Sequence, residues 1–222
     1  MPRLPHGYTN LTRPVQNGVE KRYEGVDSFA RAEREYACLT HLFGKYPVPK
    51  VVEFDASVPV IMLGTVAGRH GQELIAEGHA PGVLRLIGEQ LAKLQAISST
   101  IIPGLEGEGD VIVHGDFGPQ NVVCSFDLTG VAGVLDWESA HVGSPIEDLA
   151  WAEWIVRMHH PDAVKDLSHL FEGSGLFISW PHRLSAMVDQ CRRHLAFCEA
   201  SEWEAQAAEW RRRLAATQMW HE

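Results

Sequence analysis

"VIVHGDFGPQNVV", residues 111–123, is the stretch from which the rest of the chain is read. A β-branched run ends in His114-Gly115-Asp116, four residues intervene, and Asn121 is followed at once by more valine. The flanking segments have the composition of buried strands, whereas 114–121 is a polar loop containing Gly and Pro. A surface hairpin needs only about two to five turn residues and no fixed acid or amide. An Asx-type turn accounts for Asp116 taken alone. An acid at the start of a loop and an amide at its end are also the parts of a catalytic loop with a metal ligand.

Bulk properties narrow the classes. The chain has 222 residues and is 45% hydrophobic, enough for a sizeable core in one domain or two small lobes. No run of about eighteen uncharged apolar residues exists, so no membrane span is expected. "MPRLPHGYTN" has no apolar signal-peptide core. Cys38, Cys124, Cys191 and Cys198 form no Cys-x-x-Cys pair, which predicts buried thiols in a reducing cytoplasm rather than a zinc site. The net charge of −10 argues against nucleic acid as a partner. Residues 1–70 carry net +2, 71–148 net −10 and 149–222 net −2, so the negative charge is centred on the segment holding the opening motif. An acidic cleft attracts metal ions or a cationic substrate, and a merely solvated acidic surface is the plainer reading of any single Glu.

Working outward, "VEKRYEG" (19–25) reads as a strand after a turn at Gln16-Asn17-Gly18. Asp27 and Ser28 are placed to cap a helix with the stripe Phe29, Ala32, Tyr36, Leu39 and Phe43, ending near Gly44. "VPVIML" (58–63) reads as a buried strand and the glycine-rich 64–71 as a hinge. Leu84, Ile87, Leu91 and Leu94 form a helical core stripe. "NVVCSF", the turn "DLTG" and "VAGVLDWE" read as a hairpin with Asp136 at its exit. In "SPIEDLAW", Ser144 is expected as N-cap, Pro145 as the first helical residue and Glu147 as the far side of a capping box. That helix is expected to stop before Pro161, and the chain reads as helical from Pro181 to its end.

Lys21 on a strand, Glu35 on the next helix, Asp116 and Asn121 on one loop and Asp136 ending a strand make up the inventory of phosphoryl transfer. A lysine holds donor phosphate oxygens, a carboxylate holds the lysine, oxygen ligands hold magnesium, and an acid takes the proton of the attacking hydroxyl. These residues resemble the aminoglycoside phosphotransferase and choline kinase family, relatives of protein kinases. "VHGDFGPQNVV" is similar to that family's catalytic loop and "GVLDWESA" to its metal-binding Asp segment, with the two aspartates twenty residues apart. "GSPIEDLAW" resembles the following helix start, where Asp148 is a structural acid, and "REYACLTHL" the helix that supplies Glu35. "HGYTN" (6–10) resembles the nucleotide loop. Gln95 stands where family members often carry His, and no protein-kinase glycine loop is present.

The resemblance implies an α+β, two-lobed kinase-like fold. Residues 1–63 would form a reduced, partly β nucleotide-binding lobe, 64–70 a hinge, and 71–222 a mostly helical catalytic and substrate-binding lobe. It implies ATP and Mg2+ as cofactors. Asp116 would be the catalytic base and Asn121 and Asp136 the metal ligands. Lys21, Glu35, Thr9, Asn10, Gly64 and Val66 would bind the nucleotide. His114 is expected to shape the loop, Glu138 to sit on the cleft rim, and Lys21 to contribute little to the core. The acceptor is expected to be a small cationic hydroxyl compound, drawn by Glu73, Glu77, Glu89 and Glu138. The rival readings are a regulatory pseudokinase and a metal-dependent phosphoesterase. The latter has no need of Lys21 and Glu35.

Overall fold

The computed structural model describes residues 10–16 and 18–222, so the expected nucleotide-loop residue Thr9 lies outside the described residues. β1 (Asn10–Val15) and β2 (Gly18–Tyr23) pair antiparallel, with Thr12 opposite Lys21. β3 (Val51–Asp55) and β4 (Val60–Leu63) complete a four-stranded sheet of order β1-β2-β4-β3. Pro14 is accommodated because β1 is an edge strand, where a missing N–H costs no ladder bond.

α1 (Ser28–Leu42) packs against this sheet, but not with the expected stripe. Its buried face is Arg31, Ala32, Glu35, Cys38, Leu39 and Leu42, whereas Phe29 and Phe43 are about half exposed. The face is set by the polar partners of Arg31 and Glu35 as much as by apolar area. Asp27 is the N-cap in a left-handed conformation (φ 54°), with no side-chain capping bond.

From β4 the chain runs through an irregular 64–68 to β5 (Arg69–His70) and α2 (Gly71–Ala76). α3 (Ala80–Gln95) follows, with Leu84, Ile87, Leu91 and Leu94 fully buried as its stripe predicts. β6 (Val111–Val113) and β7 (Val122–Cys124) flank the opening loop but do not pair with each other. β6 pairs with β9 (His141–Gly143), while β7 pairs with β5 and with β8 (Val131–Val134). The loop 114–121 is therefore a crossing between two small sheets, which is why it exceeds hairpin length.

α4 (Ile146–His159) has Pro145 rather than the expected Ser144 as its N-cap, with no side-chain capping bond, and half a capping box remains: Glu147 Oε1 accepts the Ser144 N–H at 2.9 Å. α5 (Ser168–Ser174) lies on α3, and α6 (Trp180–Ala200) pairs with α7 (Glu204–Gln218). The helical run from Pro181 is broken at 201–203. One apolar cluster extends from Tyr23, Leu39 and Ile61 to Leu84, Trp137 and Leu170, and a second joins α4 to α6. All four cysteines are buried free thiols. No helix among the described residues is long and apolar enough to cross a membrane.

Candidate active site

The loop 114–121 is held from beneath by Asp148 on α4. Its carboxylate accepts the His114 N–H at 2.7 Å and the Gly115 N–H at 2.9 Å. Burial outweighs these bonds and pushes Asp148 up to about 6. Gly115 has φ +85°, and a Cβ there would lie 2.5 Å from the Ser139 carbonyl oxygen, so only glycine fits the turn. His114 is fully buried between Trp137 and Phe117. Its Nε2 donates to Leu135 O at 2.9 Å and Nδ1 accepts from the Asp116 N–H at 3.2 Å, which fixes the tautomer. Gln190 on α6 ties the loop down by donating to Gly115 O at 2.7 Å.

Asp116 receives three side-chain donors: Trp151 Nε1 at 2.8 Å and Gln120 Nε2 at 3.3 Å on Oδ1, and Asn121 Nδ2 at 2.9 Å on Oδ2. Burial first, then the Asp136 charge, lifts its pKa to about 7 against those donors. That lies near the working range of a general base. Asn121 Nδ2 also donates to Asp116 O at 2.9 Å. Both its acceptors are oxygens, so the amide nitrogen faces Asp116 and Oδ1 faces away from it. Behind Asp116, Trp151 stacks on Trp154 (4.4 Å) and His194 (4.9 Å), and His194 on Trp210 (4.5 Å). No motif in the sequence marks Trp151, whose bond to Asp116 depends on the packing of α4.

Lys21 lies at the centre of three carboxylates. Its Nζ is 2.5 Å from Glu35 Oε2, 2.5 Å from Asp136 Oδ1 and 3.5 Å from Glu138 Oε2. Burial opposes its charge, but Asp136 and Glu35 more than compensate and raise its pKa. Burial also raises Glu35, which accepts from the Tyr23 hydroxyl at 2.5 Å as well. Lys21 is thus buried, contrary to the expectation of a rim residue with little part in the core. Its removal would leave buried Glu35 with the Tyr23 hydroxyl but no cation, and losing one partner of a buried pair costs about 3–5 kcal/mol. Asp136 leaves β8 with φ 69°, a strained conformation for a non-glycine residue that turns its carboxylate to Lys21.

Glu138 is not a rim acid. It is buried, accepting from Asn10 Nδ2 at 2.5 Å and Arg31 Nη2 at 3.1 Å, while its carbonyl accepts from Arg34 Nη1 at 2.7 Å. Asn10 is buried at the start of β1 and also accepts from Arg31. Gln95, in the position of the expected His, donates to Pro145 O.

Two cavities meet at Asp136. The first, of about 250 Å³, is lined by Lys21, Gly64, Val66, Asn121, Leu135 and Asp136 among others. The Gly64 N–H is given to Lys50 O at 2.8 Å, and Gly64, Thr65 and Val66 all line this cavity. The second, of about 490 Å³, contains Asp116 and Asp136 beside Arg31, Arg34 and Arg193. The acids expected to draw a cation are elsewhere or engaged: Glu73, Glu77 and Glu89 do not line this cavity, Glu77 is bound by Arg69, and Glu138 by Arg31. For a divalent cation the donor set fits: the Asn121 amide is turned so that its oxygen is left over, and Asp136 offers a hard oxygen in the same cavity.

The model of the Phosphotransferase enzyme family matches residues 103–175, which take in the loop, Asp136 and Asp148. A curated relative, acyl-CoA dehydrogenase family member 11 of Gallus gallus, is 25% identical over 141 residues, 53% of this chain. That match spans 18% of the relative's length. The GDP and kanamycin complex of APH(2″)-IIia superimposes with a TM-score of 0.75 at 13% identity, covering 98% of this chain and 92% of that one. A choline/ethanolamine kinase family protein from Mesorhizobium loti does so at 0.66 and 16%, covering 99% and 92%. The fold is the α+β kinase-like fold of these proteins, and the resemblance to the aminoglycoside phosphotransferase and choline kinase family holds. At the level of class, the family match supports a small-molecule phosphotransferase.

Proposed function

We propose that the chain is an ATP-dependent phosphotransferase that moves the γ-phosphoryl group to a hydroxyl of a small molecule. The observation that carries this reading is the position of Asp116, beside the junction of two cavities, with its carboxylate held by three donors and its pKa lifted to about 7. The first cavity takes the nucleotide, with Lys21, fixed by Glu35, on the donor phosphates and Gly64–Val66 beside the adenine. The second takes the acceptor. The acceptor oxygen gives its proton to Asp116 as it bonds to the γ-phosphorus. The bond to the β,γ-bridging oxygen breaks, and its electron pair leaves with ADP. Asn121 and Asp136 would hold Mg2+, which neutralises phosphate charge when bound.

The same reading takes 1–63 and 71–222 as the two lobes and 64–70 as the hinge, supported by the irregular backbone at 64–68. By analogy with the kanamycin-bound neighbour the acceptor would be a cation, and Asp27, Asp116, Asp136 and Glu138 line the second cavity beside its three arginines.

Thermal melting with and without saturating MgATP tests the nucleotide, since a ligand that binds only the folded state raises Tm. Asp116→Asn should keep that shift and lose transfer by about 10²–10⁴-fold, the usual worth of a general base. No shift, with no binding by calorimetry, would favour the phosphoesterase; full transfer by Asp116→Asn would remove Asp116 as the base.

A further inference from the structure

α1 carries two buried charges one turn apart on its inward face, Arg31 and Glu35. Glu35 is given to Lys21, at 2.5 Å. Arg31 is given to Glu138 and Asn10: Nη2 meets Glu138 Oε1 at 3.1 Å and donates to Asn10 Oδ1 at 2.7 Å. With its oxygen turned to Arg31, Asn10 turns its nitrogen to Glu138 and donates to Oε2 at 2.5 Å. The three side chains close a ring that joins β1, α1 and the segment after β8. Arg31 is itself anchored, since Nη1 donates to Glu24 O at 2.8 Å and the guanidinium lies over the Phe197 ring at 5.6 Å.

This ring stands beside Lys21. One oxygen from each of Glu35, Asp136 and Glu138 lies within 4.8 Å of the others. Lys21 Nζ is among them, 2.5 Å from Glu35 and Asp136 but 3.5 Å from Glu138 Oε2. In the proposed reaction Lys21 turns to the donor phosphates, so its pair with Asp136 loosens. Asp136 is the acid placed to let go, with a side chain 32% exposed against 1% for Glu35 and 10% for Glu138. Glu138 is then a competitor. A buried carboxylate without a cation would draw the released ammonium and cancel the charge that the phosphates need. Arg31 removes that competition by occupying the carboxylate first. Both Glu138 oxygens have donors, Arg31 on Oε1 and Asn10 on Oε2, which also sets Glu138 apart from the metal ligands proposed above.

We propose that Arg31 is a positioning residue for nucleotide binding: together with Asn10 it holds the Glu138 carboxylate and so keeps Lys21 available to the donor phosphates. This rests on the phosphotransferase reading and adds a residue that acts through Lys21.

The test is calorimetric titration of MgAMP-PNP, with no acceptor present, into the wild-type protein, Arg31→Met, Glu138→Gln and the double variant. Arg31→Met should bind about tenfold more weakly, within the range of couplings between contacting residues. Glu138→Gln should bind as tightly as the wild type, because it removes the competitor itself. The double variant should regain wild-type affinity, because an uncharged residue 138 no longer needs the arginine. Loss of structure alone gives no such rescue. Arg31→Lys, which keeps a cation near Glu138, should recover part of the loss. Arg31→Gln, closer in shape, takes the place of Arg31→Met in the cycle if the latter does not fold. The role of Arg31 is overturned if its neutral variant binds MgAMP-PNP as tightly as the wild type, or if the double variant binds as weakly as that variant alone. It is overturned also if Glu138→Gln by itself weakens binding, which would make Glu138 a ligand of the nucleotide's metal. Failure of the phosphotransferase reading shows separately: the wild-type protein then binds no MgAMP-PNP, and the role of Arg31 falls with it.

Discussion

His114 is enclosed on all sides, and both ring nitrogens are committed, Nε2 to Leu135 O and Nδ1 to the Asp116 N–H. Burial pulls its pKa down to about 3, so it stays neutral in the folded protein at any ordinary pH. In the unfolded chain it titrates near the ordinary value of about 6.5. Between those values the unfolded state binds the extra proton, so stability rises with pH across that window and is lost on acidification. Asp148 runs the other way. Its folded pKa of about 6 exceeds the ordinary carboxylate value of about 3.9, so its contribution is lost as pH rises between them. His114→Gln preserves one donor and one acceptor but cannot titrate. Urea midpoints measured from pH 7.5 to pH 4.5 should therefore fall less steeply for the variant, with the His114 effect reaching about 3 kcal/mol at pH 4 at most. Parallel curves would mean that the ring is not held neutral. At this scale the sequence was informative where spacing decides the matter: Asp116, Asn121, Asp136 and Asp148 stand around one loop. It was silent on the left-handed turn of Asp136 and on the Trp151 indole, because both depend on how later elements pack.

Helices with a continuous apolar stripe, such as α3, were legible because burial there is purely apolar. α1 was misjudged by nearly a quarter-turn, because its inward face carries Arg31 and Glu35, whose burial depends on partners from β2 and beyond β8. α5, with the sequence "SHLFEGS", is too short for its periodicity to register. Its close contact with α3 is made possible by glycine on both helices. A Cβ on Gly88 would lie 2.2 Å from Leu170 O, and one on Gly173 would lie 2.3 Å from Arg85 O. Helix propensity alone gives Gly88→Ala a gain of about 1 kcal/mol. The contact reverses the sign, because the obstructing atoms are backbone and the helices must separate. Overpacking of this kind costs about 1–3 kcal/mol. Denaturant melts of Gly88→Ala should show a net loss of stability, and a gain would show that α3 and α5 do not approach so closely. The charge map has a similar blind spot: a sum over residues 71–148 records acids without their partners, and Arg31 and Arg69 take up Glu138 and Glu77.

Across the whole molecule, the sheet-bearing part and the helical part are joined by polar and apolar ties together. Lys21 reaches Asp136, and Asn10 and Arg31 reach Glu138. The Tyr46 hydroxyl donates to Gln90 O at 3.1 Å, and its ring meets Trp137 edge-on at 5.8 Å. The Val134 N–H donates to Pro47 O at 2.7 Å. The main apolar cluster passes through both parts without a break, from Ile61 to Leu84. Ion pairs near a cleft are weakened by salt, but the apolar continuity is not. The two parts should therefore unfold as one cooperative unit despite the irregular 64–68 connection. The distribution of tryptophan allows a direct check: all seven lie at or beyond residue 137, so fluorescence is weighted to the helical part, with Trp137 and Trp203 alone at its contact with the sheet-bearing part, while far-ultraviolet circular dichroism reports the whole chain. Thermal transitions followed by the two signals should coincide within error at low salt and at 0.5 M salt. An early loss of circular dichroism with flat fluorescence would show that the four-stranded sheet melts on its own. The apolar bridge through Ile61, Tyr46 and Trp137 would then be too weak to couple the parts, and nucleotide binding would have to order the sheet before transfer could begin.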